Sequence, residues 1–221
     1  KQMADEVRNN TWESVYHLKN QKFVKLADED LPDVSISDNG KIAFGQTFWP
    51  YSKKIAHFGT FYDVYVVDPV TGVKTKIKQE LYFDAGLSPA GKYVYWFEDK
   101  HWHIYDIAAK QVRNVTEDLE VPFDRQDWDT PSPAYSYGIA GWTEDDSAVL
   151  LYDQFDIWEV QPDGSGARMI TEGFGRKNSL SFRYVRLDPE EDFIDAEETL
   201  LFRVVNEETM AQGYYHDRVK G

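Results

Sequence analysis

Cysteine is absent from this 221-residue chain, which excludes a disulfide framework, a thiolate metal site and a cysteine nucleophile while leaving the redox compartment open. Positive charge is scarce. The 24 Lys and Arg residues against 39 Asp and Glu leave a formal charge of −15, so the attraction to phosphate that dominates nucleic-acid binding is missing. Nucleic acid and anionic membrane are therefore set aside as default partners. No apolar run reaches the roughly 18 residues of a membrane span. The first ten residues are polar and carry neither an initiator Met nor a hydrophobic signal region. A sustained helical period is also lacking, apart from one turn of helix expected around residues 4–9. What the chain does have is ring content: 7 Trp, 14 Tyr and 13 Phe within a 42% hydrophobic composition, too much for a disordered chain. A chain of this length can bury roughly 70% of its unfolded surface.

An internal repeat follows at intervals of about fifty residues. Ser37-Asp38-Asn39-Gly40-Lys41 precedes Ile42-Ala43-Phe44, and Ser88-Pro89-Ala90-Gly91-Lys92 precedes Tyr93-Val94-Tyr95-Trp96-Phe97. Thr143-Glu144-Asp145-Asp146-Ser147 precedes Ala148-Val149-Leu150-Leu151-Tyr152, and a decayed copy at residues 188–192 comes before the strand-like residues 200–205. Each copy reads as a side chain able to bond backbone N–H groups two residues on, then turn formers, then a β-rich run: a tight hairpin. Upstream of each turn lies another short apolar stretch, at residues 34–36, 83–87, 139–142 and 184–187, whose Gly and Ala suit a crowded inner strand.

A second hairpin comes after each of the first three turns, at residues 63–77, 102–116 and 156–171. Four strands per period, punctuated by regular turns, specify a β-propeller blade. Residues 16–26 match only the outer hairpin of a blade, and residues 200–206 with 213–216 supply strands up to the third of another. The expected fold is all-β, a partial β-propeller of three complete four-stranded blades plus partial blades at both ends. The approximate blades are residues 12–30 (partial), 31–80, 81–130, 131–180 and 181–221 (partial). Two arrangements fit this count: a segment of a larger propeller, which is the preferred expectation, or a closed four-bladed ring completed by the two partial ends.

The turn at residues 88–92, its aromatic strand and the following hairpin ending in Asn114-Val115-Thr116 resemble the TolB-type propeller repeat. They resemble in particular the propellers of the prolyl oligopeptidase and dipeptidyl peptidase family of serine peptidases. Residues 137–146, Gly175-Arg176-Lys177-Asn178 and residues 182–191 look like the version in peptidase-like proteins of Bacteroides-type bacteria. The resemblance covers residues 15–216. It implies a propeller that restricts substrates to short or unfolded peptides for a C-terminal α/β-hydrolase domain with a Ser-Asp-His triad, a domain absent from this chain.

No catalytic residue is assigned. A nucleophile elbow needs Gly-x-Ser-x-Gly on a strand-to-helix turn, whereas Gly164-Ser165-Gly166 has Asp163 and Ala167 where the outer glycines should stand and reads as a hairpin tip. Dipeptidyl peptidases use a glutamate pair for the substrate amino terminus, but Glu190-Glu191, Glu197-Glu198 and Glu207-Glu208 lack the surrounding aromatic motif, and none is carried over. His101 and His103 share a strand face and could share a metal, with no third ligand suggested nearby; the expectation is a surface pair. Asp124, Asp127 and Asp129 lack the glycine and distal glutamate of a calcium loop and read as part of a proline-stiffened interblade loop over residues 117–137. That loop and the aromatic one at residues 48–61 are the candidate contact surfaces. Exposure of Trp49, Tyr51 or Trp128 would support this reading. Asn9-Asn10-Thr11 and Asn114-Val115-Thr116 match a glycosylation sequon, the second better read as the end of an outer strand.

The functional expectation is the non-catalytic propeller portion of a prolyl oligopeptidase-type serine peptidase, gating or docking peptide substrate for the hydrolase domain. The alternative is a stand-alone TolB-like module that binds protein or peptide. No metal or cofactor is expected, the location is expected to be periplasmic or secreted, and open blade edges predict a homodimer.

Overall fold

The computed structural model describes residues 11–219; the helical turn expected over residues 4–9 and most of the first sequon lie outside them. The chain divides into two compact units, Lys1–Gly86 and Leu87–Gly221.

In the first unit β1 (Ser14–His17) and β2 (Lys22–Lys25) form a two-stranded antiparallel sheet. Next comes a four-stranded meander of β3 (Asp33–Ile36), β4 (Ala43–Thr47), β5 (Tyr62–Val67) and β6 (Lys74–Leu81). Val24 and Leu26 from the first hairpin are buried with Leu31, Ala43 and Val67, so one face of the hairpin closes against the meander. Gly45 in β4 permits this packing, because a Cβ there would come within 2.9 Å of the Leu31 side chain.

The division falls within β7 (Ala85–Leu87), which joins β8 (Tyr93–Glu98), β9 (His101–Asp106) and β10 (Gln111–Asn114) in the next sheet. Asp99 and Lys100 join β8 to β9 with φ of 51° and 72°, the doubly left-handed two-residue turn whose twist matches that of its strands. A third four-stranded sheet contains β11 (Ile139–Trp142), β12 (Val149–Tyr152), β13 (Ile157–Val160) and β14 (Ala167–Met169). The last sheet has three strands, β15 (Leu180–Tyr184), β16 (Thr199–Asn206) and β17 (Gln212–Arg218). Phe182, Phe202 and Val204 of this sheet are buried in one cluster with Leu150, Ile157 and Ile170 of the preceding one. Each such side chain contributes about 1.5–3 kcal/mol by leaving water.

Among the described residues, three four-stranded antiparallel sheets, one sheet of two strands and one of three make a partial β-propeller, as the repeat predicts. One expected element is different. The decayed fourth repeat is not a tight hairpin: the strand is Leu180–Tyr184 instead of residues 184–187, and residues 185–198 make a long excursion before β16. Ile194, buried in that excursion, donates its N–H to the Trp142 carbonyl at 2.7 Å beside β11. Gly141 makes room, since a Cβ on it would lie 2.9 Å from Ile194 Cδ1. A nonlocal contact replaces the local turn signal. Short helices at Ile55–Phe58 and Phe174–Asn178 are too brief to leave a period in the sequence.

Candidate functional site

The loop at residues 48–61 is held from beneath and open above. Tyr51 is buried and donates its hydroxyl to Asp63 Oδ1 at 2.6 Å, while Lys76 reaches Asp63 Oδ2 at 2.5 Å and the Glu80 N–H donates to Oδ1 at 3.1 Å. Burial works to raise the Asp63 carboxyl, but Lys76, the Tyr51 hydroxyl and the Glu80 N–H outweigh it and hold it below its ordinary value. Burial, the hydrogen bond to Asp63 and its charge push the Tyr51 phenol up to about 12. Lys54 pairs with Glu80 and lies over the Tyr51 and Phe61 rings. Gly59, at φ 91°, brings the chain against Tyr82, whose hydroxyl would stand 2.7 Å from an added Cβ.

From this anchored base the loop presents Trp49 at 54% exposure and Phe58 at 68%, with Ile55 also exposed. Trp49 stacks on Phe48 at 4.9 Å. Exposed Trp49 supports a contact surface; buried Tyr51 serves as the loop's anchor. The segment carries Lys53, Lys54 and His57 and no acidic residue.

The second candidate loop, residues 117–137, is pinned by the buried ring of Phe123 and by a β-bridge from Asp124 to Ser136. Its aspartates have separate fates. Asp124 is buried and meets Gln126 Nε2 at 3.0 Å and Lys100 at 3.3 Å, Asp127 takes two bonds from Arg125, and Asp129 is exposed. Trp128 is half-buried, its indole N–H donating to the Ser132 carbonyl and its ring against Tyr135, so it stabilises the loop. Among the described residues no three His, Asp or Glu side chains gather as a metal site.

No family model matches this chain, and no curated protein matches it. Solved structures do. Dipeptidyl peptidase 4 of Porphyromonas gingivalis aligns over 96% of this chain and 36% of its own, with a TM-score of 0.59 at 12% identity. A eukaryotic initiation factor aligns over 94% of this chain and 48% of its own, with a TM-score of 0.51 at 12% identity. The β-propeller domain of the Trilobed protease from Pyrococcus furiosus aligns over 94% of this chain and 61% of its own, with a TM-score of 0.49 at 14% identity. At this identity the first two alignments show a shared fold. The chain spans about a third of the length of the Porphyromonas peptidase and about half that of the initiation factor.

Within this propeller the remaining candidate residues have structural duties. His103 stacks on Trp96, and His101 lies 3.4 Å from the Thr116 hydroxyl. Residues 164–166 form the tip between β13 and β14, where the Ser165 N–H donates to Asp163. The Asn114 side chain accepts from the Thr116 N–H. Glu190, Glu191, Glu197, Glu198, Glu207 and Glu208 are all exposed.

Two openings were not foreseen from the sequence. A polar cleft of about 510 Å³ in the first unit is bordered by Trp12, Glu13, Asp33, Phe44 and Gln46, a mixture of carboxylates and rings suited to a cationic group. An apolar groove of about 240 Å³ lies beside β17. Neither has a contiguous motif, since the lining residues come from separated strands.

Proposed function

We propose that this chain is the non-catalytic propeller portion of a prolyl oligopeptidase-type serine peptidase, which docks or gates peptides for an α/β-hydrolase domain outside it. The observation that carries this reading is the alignment of nearly the whole chain with part of dipeptidyl peptidase 4 from Porphyromonas gingivalis, together with the Ser-Pro-x-Gly-Lys repeat turn. The peptide is the expected partner, and the parent is placed in the periplasm or outside the cell. Among the described residues, no helix is long and apolar enough to cross a membrane.

A second reading, a stand-alone propeller module that binds protein or peptide, is favoured by the similar fold of the initiation factor. One experiment separates them. Native protein captured with an antibody against this segment is treated with a fluorophosphonate probe for active serine hydrolases, and the captured polypeptide is sequenced through and beyond Gly221. Labelling of that polypeptide and a downstream Gly-x-Ser-x-Gly support the peptidase reading. An unlabelled polypeptide with no hydrolase sequence supports the binding module instead.

A further inference from the structure

The short helix at Ile55–Phe58 has no buried residue, although three of its four side chains are apolar. A four-residue helix is unstable by itself, so its ends must hold it. The Lys54 N–H donates to the Tyr51 carbonyl at 2.8 Å, and the Lys54 carbonyl accepts the His57 and Phe58 N–H groups at 3.0 and 2.9 Å. Gly59 ends the turn at φ 91° against Tyr82. Ile55 and Phe58, three residues apart, share one face of this turn, and both are exposed. Trp49, which opens the 3₁₀ turn Trp49–Tyr51, is exposed as well. Single apolar residues are ordinary on a surface. Here three large ones fall within ten residues, on a loop that the Tyr51–Asp63–Lys76 network and the Lys54–Glu80 pair fix from beneath.

Charge separates this loop from the rest of the chain. Residues 48–61 carry two lysines, one histidine and no acid. Asp63 and Glu80, the acids that anchor the loop, are matched by Lys76 and Lys54, which leaves exposed Lys53 as a surplus positive charge. The −15 of the whole chain opposes an anionic surface. At physiological salt, however, a charge is felt over only about 8 Å, so the charges at the point of contact decide.

We propose that the loop at residues 48–61 is a peripheral membrane contact, which inserts Ile55 and Phe58 into an anionic lipid surface with Trp49 at headgroup level and Lys53 against the lipid phosphates. Apolar groups on a helical turn beside a lysine and a tryptophan are what a bilayer interface accepts. Lipid is favoured over an acidic polypeptide because the exposed groups are apolar first and cationic second: Trp49, Pro50, Ile55, Ala56 and Phe58 against one surplus lysine. The proposal needs no hydrolase domain and stands apart from the peptidase reading.

The test floats the whole chain with vesicles of equal parts phosphatidylglycerol and phosphatidylcholine, and reads its tryptophan fluorescence against the same lipids brominated in their acyl chains. Flotation and quenching are expected, and Trp49→Phe should lose most of the quenching while still floating. Phe58→Ser should weaken binding by about tenfold, equivalent to about 1.4 kcal/mol. Lys53→Glu should weaken it by about fivefold or more, equivalent to about 1 kcal/mol for a charge near the surface. Leu187→Ser, which removes an exposed side chain from the acidic excursion, should bind as the parent does. Lys53 takes no part in the anchoring bonds, so Lys53→Glu keeps the test decisive if Phe58→Ser misfolds. No flotation, quenching that survives Trp49→Phe, or an equal loss in Leu187→Ser overturns the proposal. Binding of polyglutamate in place of vesicles, abolished by Lys53→Glu, assigns the loop to an acidic polypeptide and overturns it too. So does native polypeptide, captured as above, that fails to float while this chain floats, because the loop is then covered in the native protein.

Discussion

Asp146 occupies the left-handed position, at φ 54°, that glycine fills in the two equivalent turns, Gly40 at φ 67° and Gly91 at φ 71°. It leaves the local pattern to serve its neighbour. The buried carboxylate accepts the Ser88 hydroxyl at 2.5 Å, the Ala90 N–H at 3.0 Å and the Lys92 N–H at 3.1 Å. In the turn at residues 37–41 the same service is internal: Asn39 Oδ1 accepts the Ser37 hydroxyl at 3.0 Å and the Lys41 N–H at 2.9 Å. Ala90 stands where Asn39 would be, so the second turn borrows its acceptor. Asp146→Gly keeps the backbone conformation and deletes the acceptor; it should cost about 1–3 kcal/mol in urea unfolding. Adding Ala90→Asn should restore part of that loss, and no recovery in the double variant would sink the borrowed-acceptor account. Tyr51 gives a pH-dependent prediction. A phenol whose folded pKa is raised stabilises the fold fully below its unfolded value near 10 and loses that contribution as pH rises toward about 12. Asp63, held low, behaves in the opposite sense: its contribution is present above the ordinary carboxylate range and is lost as pH falls through its folded value. Urea midpoints measured from pH 9 to 12 should fall more steeply for the parent than for Tyr51→Phe; parallel curves would count against this coupling.

Elements closed by local chemistry were legible in the sequence, and those closed by distant contacts were not. The turns at residues 37–41, 88–92 and 143–147 could be read because turn formers follow Ser37, Ser88 and Thr143 and precede apolar runs, although each side chain accepts the N–H five residues on, across the turn, instead of two. The excursion at residues 185–198 could not be read: its Asp-Pro-Glu-Glu segment mimics a repeat turn, while Ile194 is held by Trp142 and Gly141 far back in the chain. The anchored loop at residues 48–61 was partly legible through its rings, but the division between exposed Trp49 and buried Tyr51 depends on Asp63, beyond the loop itself. The groove beside β17 left no contiguous sequence signal, because its lining residues come from separated strands and the short helix before them. Gly141→Ala tests the excursion's attachment. Its methyl must displace Ile194 and should cost about 1–3 kcal/mol. Amide exchange read across residues 190–196 should quicken more than in β8 and β9; uniform protection changes would show that Gly141 does not govern this contact.

At the scale of the whole molecule, a charge of −15 sets a repulsive background against which individual ion pairs contribute little. Lys54–Glu80, Lys92–Asp145 and Arg125–Asp127 are exposed pairs of a kind that typically contributes about 0–1 kcal/mol each. Acid is unevenly placed. The segment at residues 14–26 carries Lys19, Lys22 and Lys25, and residues 48–61 carry Lys53 and Lys54, with no acid in either, so the excess lies in the remaining turns and loops. Salt has two opposing effects here: it screens the few favourable surface pairs and it screens the general repulsion among carboxylates. With 39 acids against 24 bases the second effect has more members, and interactions beyond a Debye length of about 10 Å at 0.1 M salt are the first to vanish. The melting temperature at neutral pH should therefore rise by a few degrees between about 10 mM and about 300 mM sodium chloride. Near the isoelectric point, where like and unlike charges balance, the same addition should leave it unchanged or lower it. Differential scanning fluorimetry at both pH values reads this directly. A melting temperature that falls with salt at neutral pH would mean that the surface pairs outweigh the repulsion, and the charge excess would then need an explanation other than a solvated acidic surface.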